Sequence, residues 1–133
     1  MNDQEKFQYW LDLAKYDLET AEAMLKSGRW LYVVFMCQQA VEKLVKGLYG
    51  LHLGFDEIPR IHNINILVKR FDKLTSAVDP AYYHLFDKLT GYYLNNRYPD
   101  YTEGLGKKIK EDDSKQLFHQ TEEAFKWLLT LKP

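Results

Sequence analysis

Hydrophobic residues along this chain recur at steps of three and four, the repeat of one helix face, in five segments. The first segment begins near Asp3, a candidate N-cap, and runs to Gly28. The second runs from about Arg29 to Leu53 and is stopped by Gly54. Its apolar stripe is wide enough to pack against more than one neighbour, which predicts a central helix.

Three further helices are predicted after this one. The apolar positions are Ile64, Leu67, Val68, Phe71 and Leu74 in the third; Tyr82, Leu85, Phe86, Leu89, Tyr92 and Tyr93 in the fourth; and Leu117, Thr121, Ala124, Phe125 and Leu128 in the fifth. Asp79 followed by Pro80 is a strong start signal for the fourth helix. Asp112 and Asp113 suit the beginning of the fifth, as caps at the positive end of its dipole. Without strand alternation, repeats or linkers, residues 1–133 are expected to form one all-α bundle domain.

Composition and charge narrow the function classes. The chain has 133 residues and a formal charge of −1, so nothing global favours non-specific binding of nucleic acid. Ten tyrosines suit half-buried surfaces, and some are expected to line a groove or an interface. The only cysteine, Cys37, cannot form an internal disulfide, and no signal-peptide pattern opens the chain, which favours the cytoplasm. No apolar run reaches the length of a membrane span.

One polar stripe interrupts the second helix. Gln39, Glu42, Lys43 and Lys46 step by three or four and share a face, with Gln38 beside them. The plainer interpretation is a solvated edge on which Glu42 pairs with Lys46. The alternative is the wall of a polar groove that faces the loop before the last helix.

The pattern of histidines does not indicate a metal or cofactor site. The four histidines are scattered and form no paired ligand motif; they are His52, His62, His84 and His119. We therefore expect no metal site and no cofactor. His62 precedes the third helix, where an imidazole suits a local hydrogen bond or a cap better than catalysis.

The loop at 94–108, LNNRYPDYTEGLGKK, is the best candidate for chemistry. The proline at 99 biases Tyr98 toward extended geometry, so the fourth helix should stop near Asn95 or Asn96. Arg97 would then lie at the helix end and could take a phosphate with two hydrogen bonds, while Tyr98 or Tyr101 offers a face for a base. Alternatively, Arg97 pairs with Asp100 and the tyrosines cap the bundle.

Several stretches resemble the HEPN family, the small helical domains named for higher eukaryotes and prokaryotes nucleotide-binding. They are LAKYDLETAEAML at 13–25, FMCQQAVEKLVKGLY at 35–49, RIHNI at 60–64 and YYLNNRYPDY at 92–101. The resemblance spans nearly the whole chain and implies an up-and-down bundle of four to five helices. Family members are commonly homodimers, and many are encoded beside a minimal nucleotidyltransferase in toxin–antitoxin pairs.

Many HEPN proteins are also metal-independent ribonucleases, with an arginine followed a few residues later by a histidine. Arg97 matches the arginine, but no histidine follows in the loop. Tyr101 could replace the imidazole as a hydrogen-bond donor, although an unperturbed phenol is a poor base near neutral pH.

The resemblance therefore implies a non-catalytic module that binds a nucleotide or RNA phosphate. In that module Arg97 would hold phosphate, Tyr98, Asp100 and Tyr101 would lie beside it, and Gln39, Glu42, Lys43 and Lys46 would form the groove wall. The alternative is a ribonuclease toxin with Arg97, and Tyr101 or a histidine from elsewhere in the dimer, at its active site.

Overall fold

The computed structural model describes residues 1–76, 78–95 and 109–133. Every regular element in these ranges is helical, which confirms the prediction of an all-α bundle. The α-helices are α1 (Asp3–Lys26), α2 (Trp30–Leu53), α3 (Ile64–Thr75), α4 (Pro80–Asn95) and α5 (Glu111–Leu129), with a short 3-10 helix at Phe55–Glu57.

The helix ends follow local capping rules. At α1 the cap is Asn2 and not the predicted Asp3: Asn2 Oδ1 accepts from the Glu5 backbone N–H at 2.8 Å, and the Glu5 carboxylate accepts from the Asn2 N–H. Asp79 caps α4 as predicted, because its Oδ1 accepts from the Ala81 N–H at 2.9 Å. At α5 the Asp113 carboxylate accepts from the Lys110 N–H at 3.2 Å. These ends are fixed within one turn of sequence.

Helix α2 is the centre of the bundle and contacts all four other helices, as its wide apolar stripe predicts. Every residue of that stripe is fully buried: Val33, Val34, Cys37, Ala40, Val41, Leu44, Val45 and Leu48. Helix α1 packs antiparallel on α2, closely enough that a Cβ built on Gly47 would lie 2.9 Å from Trp10 Cβ. Neighbouring helices therefore cover α2 both along its apolar stripe and at Gly47.

Helix α3 runs in the same direction as α2, because its connection returns along the bundle. Residues 54–63 carry the chain back, so that His62 lies beside Glu42 and Arg70 beside Tyr49. Position along α3 thus rises together with position along α2. This return brings the segment before α3 against the middle of α2, where the candidate site lies.

One predicted core residue is exposed. Leu74, the last position of the predicted apolar stripe in α3, is 56% exposed. With α3 parallel to α2 in the register set by Arg70 and Tyr49, Leu74 lies near Leu53, the last residue of α2. Because α2 ends there, it offers no further surface to cover Leu74.

Candidate functional site

A buried polar row runs along α2 inside the bundle. Gln38 is fully buried, and Glu42 and Lys46 are only 5% and 9% exposed. The three residues are spaced by four and so lie above one another on one helix face. Burying polar and charged groups is costly unless each finds a partner, so their contacts decide what this face can do.

The Glu42 carboxylate holds three partners. His62 Nδ1 lies 3.1 Å from Oε1 and 3.2 Å from Oε2, and Lys46 Nζ lies 3.1 Å from Oε2. Gln38 Nε2 approaches Oε1 at 3.4 Å. The predicted pairing of Glu42 with Lys46 is confirmed, but the predicted solvated edge is wrong here, because the start of α3 and the end of α4 cover this face.

Gln38 joins three parts of the chain. Its Nε2 donates to the backbone oxygen of His62 at 2.9 Å, and its Oε1 accepts from Thr90 Oγ1 of α4 at 3.4 Å. Gln39, the residue named in the predicted groove wall, is half-buried and lies about 100° away around the helix. The spacing Gln38, Glu42, Lys46 was the available signal for the correct face.

His62 was assigned no site role by the sequence, yet the structure places it at the centre of the cluster. Because a carboxylate only accepts, the contact with Glu42 puts the ring hydrogen on Nδ1 and leaves Nε2 as the acceptor of the neutral imidazole. The side chain is 35% exposed, and its ring lies 5.2 Å from that of Tyr93 on α4. Of the expected roles, the cap is not the one observed, because Asn63 caps α3 by accepting from the Ile66 N–H at 3.3 Å, while His62 makes its hydrogen bond to Glu42.

Lys43 faces another neighbour. Its Nζ lies 2.5 Å from Oδ2 of Asp17, a buried carboxylate in the middle of α1. The predicted single stripe therefore divides, with Glu42 and Lys46 turned toward α3 and Lys43 toward α1. Adjacent helix positions differ by about 100°, which is enough to send two neighbouring charges into different interfaces.

The loop residues proposed to bind phosphate, Arg97, Tyr98, Asp100 and Tyr101, lie outside the described residues. The helix before them reaches the cluster: Thr90 bonds Gln38, and the Tyr93 ring lies 4.8 Å from that of Phe35. Arg97 follows Tyr93 by four positions in sequence. Its role stays a prediction.

The other histidines lie apart from this cluster. His52 Nε2 bonds the backbone oxygen of Leu131 at 2.7 Å, His119 pairs with Glu122 on the surface of α5, and His84 is exposed on α4. In the described ranges, no group of three or more histidine, cysteine or carboxylate side chains is arranged to hold a metal ion. None of the helices in those ranges has the length and apolar character needed to cross a bilayer.

Comparison with known families accounts for the whole bundle, since a family model described as the HEPN domain matches residues 7–131. The chain belongs to the HEPN family. The matched region of this HEPN domain includes Gln38, Glu42, Lys46 and His62, and also the segment that carries Arg97. No curated protein matches the chain.

Among solved structures, this HEPN domain is similar to TT1696 from Thermus thermophilus, with a TM-score of 0.79 and 22% sequence identity. The alignment covers 98% of this chain and 99% of that one. At this identity the match establishes a shared fold.

Proposed function

We propose that this HEPN domain is a non-catalytic module that binds the phosphate of a nucleotide or nucleic acid beside the end of α4. One observation carries the proposal: His62, fixed by Glu42, presents a partly exposed imidazole next to Tyr93, four residues before Arg97. In the proposed site Arg97 takes phosphate oxygens, and Tyr98 and Tyr101 offer faces or hydroxyls to the ligand. The carboxylate of Asp100 would repel any further negative charge on the bound ligand.

The residues of α2 would act mainly by positioning. Glu42 and Lys46 are too buried to give much surface to a ligand, but Glu42, itself paired with Lys46, holds the imidazole of His62 in one orientation. Lys43 has its charge offset by Asp17, so its contribution to the local potential is expected to be smaller than that of Arg97. Gln39 is half-buried beside them.

Titration with nucleotides and short RNA tests the proposal. Arg97→Ala should weaken binding by about tenfold or more, as expected for loss of a charge-assisted hydrogen bond. Lys126→Ala is the matched control and should retain affinity, because it removes one positive charge from an exposed residue next to Trp127, whose ring stacks on Tyr82 at the start of α4. Equal affinity in wild type and Arg97→Ala would contradict the assignment.

A second function, metal-independent ribonuclease activity, is favoured by the same histidine. An imidazole that keeps Nε2 as an acceptor could take the proton of an RNA 2′-hydroxyl as its oxygen attacks phosphorus and the bond to the 5′-oxygen breaks. His62 would then supply the proton acceptor that is missing after Arg97, in place of Tyr101 or a histidine of a second protomer.

The test of this second function is RNA cleavage in EDTA by wild type, Arg97→Ala and His62→Ala. Cleavage by wild type that both variants lose would support this function; cleavage that survives in either would reject it.

We also propose that the domain forms a homodimer and pairs with a minimal nucleotidyltransferase, as a toxin–antitoxin module. Exposed Tyr9 and Tyr16, seven residues apart on α1, are suitable aromatic residues for such an interface. Light scattering should give twice the 15.8 kDa monomer mass. A monomer at micromolar concentration, or no complex with a nucleotidyltransferase encoded beside it, would contradict the respective part.

A further inference from the structure

A cleft lies where α2 and α3 end side by side, away from His62. Its volume is about 590 Å³, within the range of small-molecule sites. Its lining residues are Tyr49, Leu53, Glu57, Arg70, Lys73 and Leu74. Tyr49 lies seven residues beyond Glu42 on α2, roughly 10 Å along the helix axis, so this cleft is separate from the proposed phosphate site.

The apolar part of the cleft consists of two partly exposed leucines. Leu53 and Leu74 are 36% and 56% exposed, one at the end of each helix. Both line the same open cleft, so a single apolar group could cover both side chains. Removing that surface from water would favour binding of a molecule with a compact apolar body.

The charged part is preorganised. Arg70 donates to the Tyr49 hydroxyl, and its guanidinium lies over the Tyr49 ring at 5.6 Å. This contact uses only one of the five guanidinium N–H groups while holding the side chain in place. Lys73, one turn further along α3, has no ion-pair partner in the part of the chain that the structure describes. Glu57 is the one carboxylate among the lining residues, which leaves an excess of one positive charge.

We propose that this cleft binds a small amphipathic anion, a compact apolar or aromatic body that carries one carboxylate or sulfonate. The apolar body would cover Leu53 and Leu74, and the anionic group would take hydrogen bonds from Arg70 and Lys73. A single negative charge matches the excess charge of the lining, whereas Glu57 would repel a more highly charged phosphate compound. The proposal is independent of the phosphate site.

A matched pair of probes tests the cleft on the full chain. The anionic probe is 8-anilinonaphthalene-1-sulfonate, and the neutral one is N-phenyl-1-naphthylamine, which has the same rings without the sulfonate. In methyl and amide NMR titrations we expect the largest shifts at Leu53, Leu74 and Arg70, with tighter binding of the sulfonate. Arg70→Gln should weaken the sulfonate about tenfold and leave the neutral probe unchanged.

Further variants separate binding from folding. Lys69→Gln makes the same change of charge one residue earlier, where the lysine lies over Tyr83 on another side of α3, and should leave both affinities unchanged. Lys73→Gln, which removes no side-chain hydrogen bond or ion pair among the described residues, should weaken the sulfonate roughly threefold. Glu57→Gln should strengthen it. Equal affinity for the two probes, or shifts centred away from the two leucines, would overturn the proposal.

Discussion

Oε1 of Glu42 in α2 lies 3.1 Å from His62 Nδ1, a contact between residues twenty positions apart that joins the segment before α3 to α2. The same carboxylate neutralises Lys46 inside the bundle. Glu42 therefore has two effects: it stabilises a buried cation, and it orients the imidazole on which the proposed site depends.

Loss of the Glu42 charge should destabilise the fold strongly. Glu42→Gln keeps the shape of the side chain but leaves Lys46 with an unpaired buried charge, so we expect a loss of about 3 kcal/mol in the free energy of unfolding. Glu22→Gln is the matched control, because Glu22 pairs with Lys26 at the same spacing on the surface and should cost less than about 0.5 kcal/mol. Urea denaturation followed by circular dichroism measures both. Similar losses in the two variants would contradict a buried role for Glu42.

The contact between Asp17 and Lys43 should couple α1 to α2. Asp17→Asn removes a buried carboxylate and is expected to cost about 1–3 kcal/mol, whereas Asp12→Asn on the exposed face of α1 should cost little. Combining Asp17→Asn with Lys43→Met should destabilise less than the sum of the single changes. Additive losses in urea denaturation would show that the ion pair contributes nothing measurable.

Two glycine-to-alanine variants should change stability in opposite directions. In Gly47→Ala the new methyl would lie 2.9 Å from Trp10 Cβ, an atom that no side-chain rotation can move, so α1 must shift at a cost of about 1–3 kcal/mol. In Gly91→Ala the methyl meets no described atom within 4 Å, and the gain in helix propensity should stabilise by about 0.5–1 kcal/mol. Thermal melts of both variants check the signs. A stable Gly47→Ala would show that α1 and α2 pack more loosely than the structure indicates.

The thiol of Cys37 should be unreactive in the folded protein. Burial raises its pKa from the ordinary 9.0 to about 12, so at pH 8 it stays protonated and enclosed by the core. A disulfide reagent should modify it slowly in buffer and quickly in denaturing urea. Fast reaction in buffer would contradict its burial.

The same shift has a defined effect on stability. Above pH 9 the unfolded thiol ionises while the folded one does not, so this contribution is fully present below pH 9 and is lost as pH rises toward 12. Wild type should therefore lose stability more steeply than Cys37→Ala over that interval. Parallel curves would show that the thiol makes no such contribution.

Sequence reasoning worked best where a rule acts within one or two turns. The start of α4 at Asp79 and Pro80, the extent of α2 and its buried stripe were all predictable, because caps and helix periodicity depend on near neighbours. The Glu42–Lys46 pair was predictable for the same reason. Leu74 and Gln38 were not, since exposure at the end of α3 and burial on α2 depend on which helix lies alongside.

The amino-acid sequence by itself therefore determined the helices, their main apolar faces and the membership in a family. The tertiary structure decided that Glu42 and Lys46 are buried, that Lys43 faces α1 and that His62 joins the cluster. The physical reason is the path of residues 54–63, which return along α2 and place α3 parallel to it. Contacts across twenty residues follow from that path, and local spacing carries no information about it.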